Sequence, residues 1–292
     1  MIIDNHCHLE EENSAEKMIQ AMNAGGIDKS VLFAPACENL PSVPKALLWF
    51  ARTLLQSPLF GVAIAICEDV VSSVPGKIKA SGTYYDIFQY PDNRPVAEAI
   101  KKEPDRFIGF VFLNPKDNPN VKEQFEEAVH RDKMQGVKVH AWFHNYDPSE
   151  LLQDIGAGCQ ELGLPILIHL GSRPDTSNIQ GLIDNFPKLN LILAHLGIPW
   201  FRRSWDMAKQ YSNIYLDISG PYLSAKLVRK AVRFVGPGKL IFGTDAPYGI
   251  RTAEKGKLSY ASSKAWVEKL PLSQEDKEKI FSGNLLKLLK PV

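Results

Sequence analysis

The sequence predicts an α/β fold, specifically a (β/α)₈ TIM barrel. Three observations favour it: eight short apolar runs recur along the chain, segments of helix length separate them, and the whole extends over 292 residues. Alternating strands and helices are typical of repeated βαβ units with a parallel sheet, and eight strands close a TIM barrel. Barrels of this length routinely form one domain. We therefore predict a single domain over residues 1–292, with an open doubly wound sheet as the alternative.

The eight predicted strands are continuous apolar runs rich in β-branched residues. Such runs fit strands that are covered on both faces, as parallel sheets require. They occupy residues 2–8, 29–35, 107–113, 136–141, 165–171, 190–197, 214–219 and 240–247. Helices are predicted over residues 16–23, 96–103, 121–131, 148–162, 179–186, 200–210 and 223–235, most of which alternate charged and apolar positions as an outer ring of helices should.

One interval, residues 36–91, is longer than the other connections between strands and helices, and we interpret it as an insertion after the second strand. We predict that it carries a helix over residues 43–56 and an extended piece around residues 61–66. Because it leaves the carboxyl end of a strand, where barrel active sites are built, we expect it to act as a lid or specificity loop. An ordinary packed excursion is the alternative.

Composition narrows the class of partner. Lys and Arg number 34 against 33 Asp and Glu, a formal charge of +1, so no strong field attracts nucleic acid or a membrane surface. No stretch reaches the roughly 18 consecutive apolar residues of a membrane-spanning helix. The four cysteines form no Cys-x-x-Cys pair, and the first residues do not resemble a signal peptide. We expect a cytoplasmic protein whose partner is a small molecule.

Polar residues occur where the apolar strands end. His6 and His8 lie two apart in the first strand, so both side chains project to one face. Other strands end on Lys138, His140, His169, His195 and Asp245. The carboxyl ends of barrel strands share one rim, and imidazoles with a carboxylate suit Zn²⁺, Mn or Fe better than Mg²⁺ or Ca²⁺. The sequence therefore predicts a metal site at this rim, with hydrogen-bonded core histidines as the alternative.

Two further histidines lie outside this pattern. His130 falls in a highly charged predicted helix, and His144 falls in the loop after the fourth strand. We expect both of them at the surface, with contact to the substrate as the alternative for His144.

The ordered motifs resemble the amidohydrolase superfamily, specifically the amidohydrolase-2 group that includes the aminocarboxymuconate semialdehyde decarboxylase-like enzymes. The resemblance covers nearly the whole chain and implies a metal-dependent barrel enzyme that forms a dimer. The motifs are Asp4-Asn-His-Cys-His8, Gly136-Val-Lys-Val-His140, Ile168-His-Leu-Gly171, Ala194-His-Leu-Gly197, Phe242-Gly-Thr-Asp245-Ala-Pro and Ile280-Phe-Ser-Gly-Asn-Leu-Leu-Lys-Leu-Leu289.

The resemblance also implies roles for single residues. The implied metal ligands are His6, His8, His169 and Asp245. His195 is implied to assist the chemistry. One divalent metal is expected, Zn²⁺ before Mn or Fe. Lys138 leaves a two-metal centre open, because phosphotriesterase-like relatives use a carboxylated lysine on this strand to bridge two metals.

Hydrolysis of a small lactone, amide or ester is the predicted reaction. A metal-activated water would attack the carbonyl, Asp245 would carry the proton to the leaving group, and His195 would polarise the carbonyl. The alternative is metal-dependent decarboxylation of an aromatic or unsaturated carboxylic acid, which the same family contains. A barrel that binds a ligand without catalysis is a third hypothesis.

The candidate substrate-binding residues carry positive charge or hydrogen-bond donors. Arginine binds carboxylates through two hydrogen bonds, which makes the arginines near strand ends candidates. The candidates are Lys138, His140, Arg173 and Arg251, and less strongly Arg202 and Arg203.

Overall fold

The structure, a computed structural model, describes residues 1–10, 13–57, 59–65, 74–80, 82–252, 254 and 257–290, without the side chain of Lys45. Part of the insertion therefore lies outside the described residues. The extended piece expected around residues 61–66 is helical over residues 60–65, so that prediction is wrong, and residue 66 lies outside the described part.

The strands of the described chain follow the predicted order, with one additional hairpin. They are β1 (Ile3–His8), β2 (Lys29–Phe33), β3 (Lys77–Ala80), β4 (Thr83–Asp86), β5 (Phe107–Gly109), β6 (Val111–Phe112), β7 (Val137–His140), β8 (Ile166–His169), β9 (Leu191–Leu193), β10 (Ile214–Asp217) and β11 (Leu240–Ile241). The hairpin is the antiparallel pair β3–β4 within the insertion. The other strands correspond to the eight predicted ones, because β5 and β6 are two pieces of the third.

The barrel strands pair in parallel, each with its sequence neighbour. One sheet has the order β1-β2-β5 and the other the order β11-β10-β9-β8-β7-β6. Phe110 joins the two sheets, since its amide donates to the Leu32 carbonyl while the next amide, that of Val111, donates to Gly136. At the other seam, His8 N donates to Ala246 O at 2.8 Å and Ala246 N donates to His6 O at 3.1 Å. These hydrogen bonds close the ring and confirm the predicted barrel.

Helices surround the barrel and fill the connections. They are α1 (Ala15–Gly25), α2 (Lys45–Leu55), α3 (Arg94–Lys102), α4 (Val121–His130), α5 (Ala141–His144), α6 (Pro148–Leu151), α7 (Gln153–Leu162), α8 (Gln180–Asn185), α9 (Phe201–Gln210), α10 (Ala225–Val235), α11 (Ala261–Glu268), α12 (Gln274–Glu278) and α13 (Asn284–Leu286). The hydroxyl of Ser14 caps the N-terminus of α1 and that of Ser224 caps α10, as serine does at helix starts. Among the described residues, no helix combines the length and the apolar composition needed to cross a membrane.

The core has two layers because successive strand residues face opposite sides. Val31, Phe33 and Leu167 belong to the cluster inside the barrel. Val137 and Val139 of β7 belong instead to the layer between strands and helices. Lys138 and His140 alternate with these valines, so their side chains face the barrel interior.

The insertion contacts three loops at the carboxyl-end rim of the barrel. The guanidinium of Arg52 on α2 donates to the carbonyl of Pro221, which follows β10, at 3.0 Å. Leu55 packs with Ile198, which follows β9. On the other side, Ile78 of β3 packs in a small cluster beside Phe143, which follows β7. The insertion therefore lies beside the rim on which the polar residues were predicted.

Every predicted strand except the first extends too far at its carboxyl end, and the sixth and eighth extend farthest. The sixth ends at Leu193 and is followed by a 3₁₀ turn over Ala194–Gly197, and the eighth ends at Ile241. Neither could have reached its predicted end, because His195 has φ 54° and Asp245 has φ 61°, in the left-handed region that cannot continue a strand.

Candidate metal centre

A β-bulge in β1 places His6 and His8. Asp4 pairs with Ser30 and Cys7 with Leu32, so three steps along β1 face two along β2. An extra residue of this kind re-aims the side chains that follow it. The rings of His6 and His8 consequently lie 5.1 and 4.7 Å from the ring of Phe33, which belongs to the barrel interior.

Asp4 ties the first strand to the segment that carries Asp245. Its Oδ1 accepts from the amides of His6 and Thr244 at 3.1 and 2.9 Å, and its Oδ2 accepts from the Thr244 hydroxyl. Complete burial raises the pKa of Asp4 to about 6, although these hydrogen bonds oppose the rise. Asp4 thus holds His6 close to Asp245, although the two predicted ligands lie far apart in the sequence.

Asp245 lies against the acceptor nitrogens of two histidines. Its Oδ1 is 3.4 Å from Nε2 of His6 and 3.4 Å from Nε2 of His8. His6 Nδ1 donates to Asp217 Oδ2 at 2.6 Å, and His8 Nδ1 lies 3.4 Å from the carbonyl of Ala34, which can only accept. Both neutral rings therefore keep the proton on Nδ1 and turn the Nε2 lone pair towards Asp245.

Three acceptor atoms thus converge, and a cation would satisfy them. His195 also belongs to this cluster, since it offers a ligand atom that lies with those of His6 and Asp245 within 4.8 Å of one another. The donor set of imidazoles and a carboxylate fits a divalent transition metal.

The charge states of these groups suit metal binding. Burial, reinforced by the charge of Lys138, lowers the pKa of His6 well below its ordinary value and that of His8 to about 4. Neutral imidazole is the form that binds a metal. Burial raises the pKa of Asp245 to about 6, against the opposing attraction of Lys138.

Lys138 lies inside the same cluster. Its side chain is fully buried, with Nζ 3.3 Å from His6 Nε2 and 5.0 Å from the centre of the Phe33 ring. Burial lowers its pKa to about 8. The predicted position of Lys138 at the site is therefore observed, while its role and the number of metals stay predictions.

Asp217 organises the site and is not among the residues predicted from the sequence. Its Oδ1 accepts from the amide of His195 at 2.7 Å and from the amide and hydroxyl of Ser219, while its Oδ2 holds His6. Burial opposes ionisation of Asp217, but His6 and the hydrogen bond from Ser219 outweigh it and hold the pKa below its usual range. A carboxylate behind a histidine typically orients that ring towards a metal. Asp217 and Ser219 end the predicted seventh strand, so the strand-end rule could have found them.

The backbone at His195 adopts a strained conformation that hydrogen bonds hold in place. Left-handed φ is costly for a residue with a Cβ, and the bond from the His195 amide to Asp217 helps to hold it there. The hydroxyl of Ser219 lies 2.9 Å from His195 Nδ1 and its carbonyl 3.1 Å. Gly220, with φ 92°, allows this approach, because a Cβ there would lie 2.7 Å from His195 Nδ1.

His169 and His140 continue the site along β8 and β7. The ring of His169 lies edge-on to that of His195, with centroids 4.7 Å apart, and stacks on His140 at 4.0 Å. His169 thus reaches the cluster through His195. Its role as a metal ligand stays a prediction.

Three of the four arginine candidates have protein partners. Arg173 is half-exposed and binds Asp175 and Asn145 through its guanidinium. Arg251 donates to the carbonyl of Leu40 at 2.6 Å and lies 4.8 Å from the centre of the Tyr248 ring, so it links the start of the insertion to the loop after β11. Arg202 is 79% exposed and pairs with Asp206.

His144 is not at the surface, which corrects our expectation for it. It is 2% exposed, and its Nε2 lies 3.1 Å from the carbonyl of Phe88, to which it donates. The short α5 turn directs the ring inwards, where it joins the end of the hairpin to the barrel. His130 is exposed beside Glu126, as expected.

Comparisons with known proteins agree with the fold. The amidohydrolase family profile matches residues 85–290. A TIM-barrel protein from Bordetella bronchiseptica has a TM-score of 0.65 and 18% identity, and covers 98% of this chain and 97% of its own. A dihydroxybenzoic acid decarboxylase from Polaromonas sp., solved with bound manganese and the inhibitor 2-nitroresorcinol, has a TM-score of 0.62 and 16% identity, over 98% of this chain and 96% of that one. These likenesses confirm the predicted barrel.

Curated relatives overturn the expected reaction. A γ-resorcylate decarboxylase from Polaromonas sp. is 24% identical over 67% of this chain and 74% of its own, and one from Rhizobium sp. is 22% identical over 68% and 74%. Hydrolysis, our first prediction, is therefore wrong, and the relatives favour the decarboxylase alternative. The motifs could not separate the two reactions because both use the same metal site.

The profile match extends over more than half of the chain. Its bounds contain His140, His169, His195 and Asp245, and they exclude residues 1–84, which carry His6, His8, the first two strands and most of the insertion. The chain is thus an enzyme of the amidohydrolase superfamily and belongs to its amidohydrolase-2 family.

Proposed function

We propose that this enzyme catalyses the metal-dependent, non-oxidative decarboxylation of a hydroxylated aromatic carboxylic acid. The observation that carries the proposal is the likeness to γ-resorcylate decarboxylases over 67% of the chain. The buried cluster of His6, His8 and Asp245 supports it, because its converging acceptors fit the metal that such chemistry needs.

The metal would be held by His6, His8 and Asp245, with His169 from the expected set. When bound, it supplies a Lewis acid that polarises oxygens of the substrate. The manganese in the related decarboxylase makes Mn²⁺ a candidate beside the expected Zn²⁺, and this donor set suits both.

The chain must deliver a proton to the ring carbon that bears the carboxylate. That carbon gains a hydrogen, its bond to the carboxylate carbon breaks, the electron pair returns to the ring, and CO₂ leaves. Asp245 is the proposed proton carrier, since Oδ1 faces the two histidines and Oδ2 remains to hold the proton. His195, with Nδ1 engaged by Ser219, keeps Nε2 for a substrate hydroxyl.

Burial of the site favours loss of CO₂. His6, Lys138 and Asp217 are fully buried, so a substrate carboxylate placed beside them would lose its water. A charged carboxylate is stabilised by water far more than neutral CO₂ is, and desolvation therefore favours the product.

The test is turnover by the enzyme reconstituted with Mn²⁺ or with Zn²⁺. We expect 2,6-dihydroxybenzoate to yield CO₂ and resorcinol, with one deuterium on the ring when the reaction runs in D₂O. Benzoate, which lacks the hydroxyls, should react far more slowly. Turnover of a lactone or amide panel, without CO₂ from any hydroxybenzoate, would contradict the proposal.

A further inference from the structure

Both faces of the His140 ring are covered. The ring of His169 stacks on one face at 4.0 Å with an interplanar angle of 19°, and that of Phe143 stacks on the other at 3.9 Å and 17°. A substrate ring therefore cannot stack on His140. Only the edge of the imidazole can meet a ligand.

The free edge of the ring carries a hydrogen-bond donor, the Nε2–H group. Nδ1 of His140 accepts the backbone amide of Phe143 at 3.1 Å, so the neutral ring carries its proton on Nε2. Within the part of the chain that the structure describes, Nε2 has no hydrogen-bond partner. The residue is only 4% exposed, yet Nε2 is not among the side-chain atoms that are sealed from solvent, so a ligand can reach this donor.

The insertion helps to hold the ring in place. Phe143 packs beside the cluster of Cys37, Ile78 and Ile87 in and around the hairpin. The bond from His144 to the Phe88 carbonyl fixes the same α5 turn to the end of the hairpin. Both contacts come from residues 36–91, the segment predicted to set specificity.

Lys138 adds positive charge on the same face of β7. It lies two residues before His140, and both side chains face the barrel interior. An oxygen with negative charge would therefore be favoured near His140 over a neutral apolar group.

We propose that His140 is a substrate-binding residue whose Nε2–H donates a hydrogen bond to an oxygen of the aromatic acid, either the carboxylate or a ring hydroxyl. This inference rests on the proposed function for the class of ligand. Recognition of the substrate would then occur at the end of β7, beside the insertion, and not at the seam that holds Asp245.

The test compares three variants of the metal-loaded enzyme by calorimetric titration with 2,6-dihydroxybenzoate. His140→Phe keeps a flat ring between His169 and Phe143 but removes the donor, and His140→Gln restores an N–H near the Nε2 position. His130→Phe, at an exposed site, is the control. A hydrogen bond to a charged group is worth about tenfold or more in affinity, so the Kd should rise about tenfold in His140→Phe, recover partly in His140→Gln and stay unchanged in the control.

Metal content separates binding from a structural role, and it should match the wild type in His140→Phe. The melting temperature should fall modestly in this variant, because the Phe143 amide loses its acceptor, Nδ1 of His140. Equal affinity in His140→Phe and wild type would overturn the inference, and so would loss of metal from His140→Phe, since the residue would then act through His169. Release of CO₂ by wild type together with equal affinities would leave the proposed function standing and remove only His140.

The same titration with benzoate identifies the contacted oxygen. A penalty for both ligands places the carboxylate at His140, and a penalty for 2,6-dihydroxybenzoate alone places a hydroxyl there. Binding of these acids that depends on His140, without any release of CO₂, would support the inference while the proposed function fails.

Discussion

Two regions of the site differ in how they are held. The first is the seam, where β1 meets the segment that follows β11. The second, which we call the wall, consists of His140, Phe143 and His144 at and after the end of β7. At the seam, Asp4, Asp217 and Asp245 hold His6 through hydrogen bonds and contacts between barrel elements. Asp4 and Asp217 are fully buried, and the side chain of Asp245 is 13% exposed. At the wall, His140 is held by Phe143, which depends on a hairpin whose outer residues, such as Tyr84, are exposed. We therefore propose that the barrel positions the reacting groups and that the insertion positions the substrate.

The largest effect should follow from Asp245→Asn at the seam. The amide keeps the shape but cannot carry the negative charge that a metal favours or shuttle a proton, and general acid catalysis alone contributes about 100- to 10,000-fold. We expect kcat/KM for CO₂ release to fall by at least about 1,000-fold. Asp206→Asn, exposed on α9, is the control. A loss below tenfold would remove Asp245 from the chemistry.

The wall should respond to acid through His144. Burial lowers the pKa of this ring from 6.5 to about 4. No acceptor among the described residues lies at Nδ1 to bind a second proton. The unfolded chain takes up that proton as the pH falls below 6.5, whereas the folded chain resists until about pH 4. The stabilisation is thus complete above pH 6.5 and is lost by about pH 4. Over this range the free energy of unfolding should fall by an amount on the order of 3 kcal/mol.

Urea unfolding between pH 7 and pH 4 measures this effect. His144→Gln keeps a donor for the Phe88 carbonyl but does not titrate, so its stability should fall less steeply with acid than that of wild type. His130→Gln, at an exposed site, should follow wild type. Parallel curves for His144→Gln and wild type would show that the ring does not contribute.

A smaller effect at the seam should follow from Asp217→Asn. The neutral amide weakens the hold on His6, and loss of such an outer partner typically costs about 10- to 100-fold in metal affinity or activity. Competition with a chelator measures the metal affinity. An unchanged affinity would mean that the barrel alone orients His6 and that the hydrogen bond at 2.6 Å is incidental.

The smallest effect should come from α2 of the insertion. Arg52→Gln removes the guanidinium contact with the Pro221 carbonyl, a hydrogen bond worth about 1 kcal/mol in typical cases. We expect KM to rise a few-fold with kcat and metal content unchanged, if α2 acts as a lid. A change in kcat with constant KM would instead connect α2 with the chemical step.

The residues at the seam could be predicted from the sequence better than those of the wall. Apolar runs that end on His6, His169 and Asp245 reveal both the barrel and the rim, because strand period and strand order determine where such residues lie. The bulge at β1 and the left-handed backbones of His195 and Asp245 depend on tertiary hydrogen bonds, so periodicity could not show them. Asp217 was available from its strand-end position and was overlooked.

The wall could not be predicted in the same way. His140 was a candidate only by its place at the end of a strand, and its fixed donor depends on Phe143 and on a hairpin about 60 residues earlier. His144 was misplaced because a helical turn of four residues leaves no periodic pattern. Contacts between an insertion and a loop are set by packing, which a local pattern does not encode.

Elemental analysis of the purified protein tests whether the cluster at the seam holds a metal. We expect about one divalent metal ion per chain in the wild type, as a single centre of this donor type would hold, and its loss from both His6→Ala and Asp245→Asn. His130→Ala should keep the wild-type content. Unchanged metal in both seam variants would contradict the assignment of the metal centre.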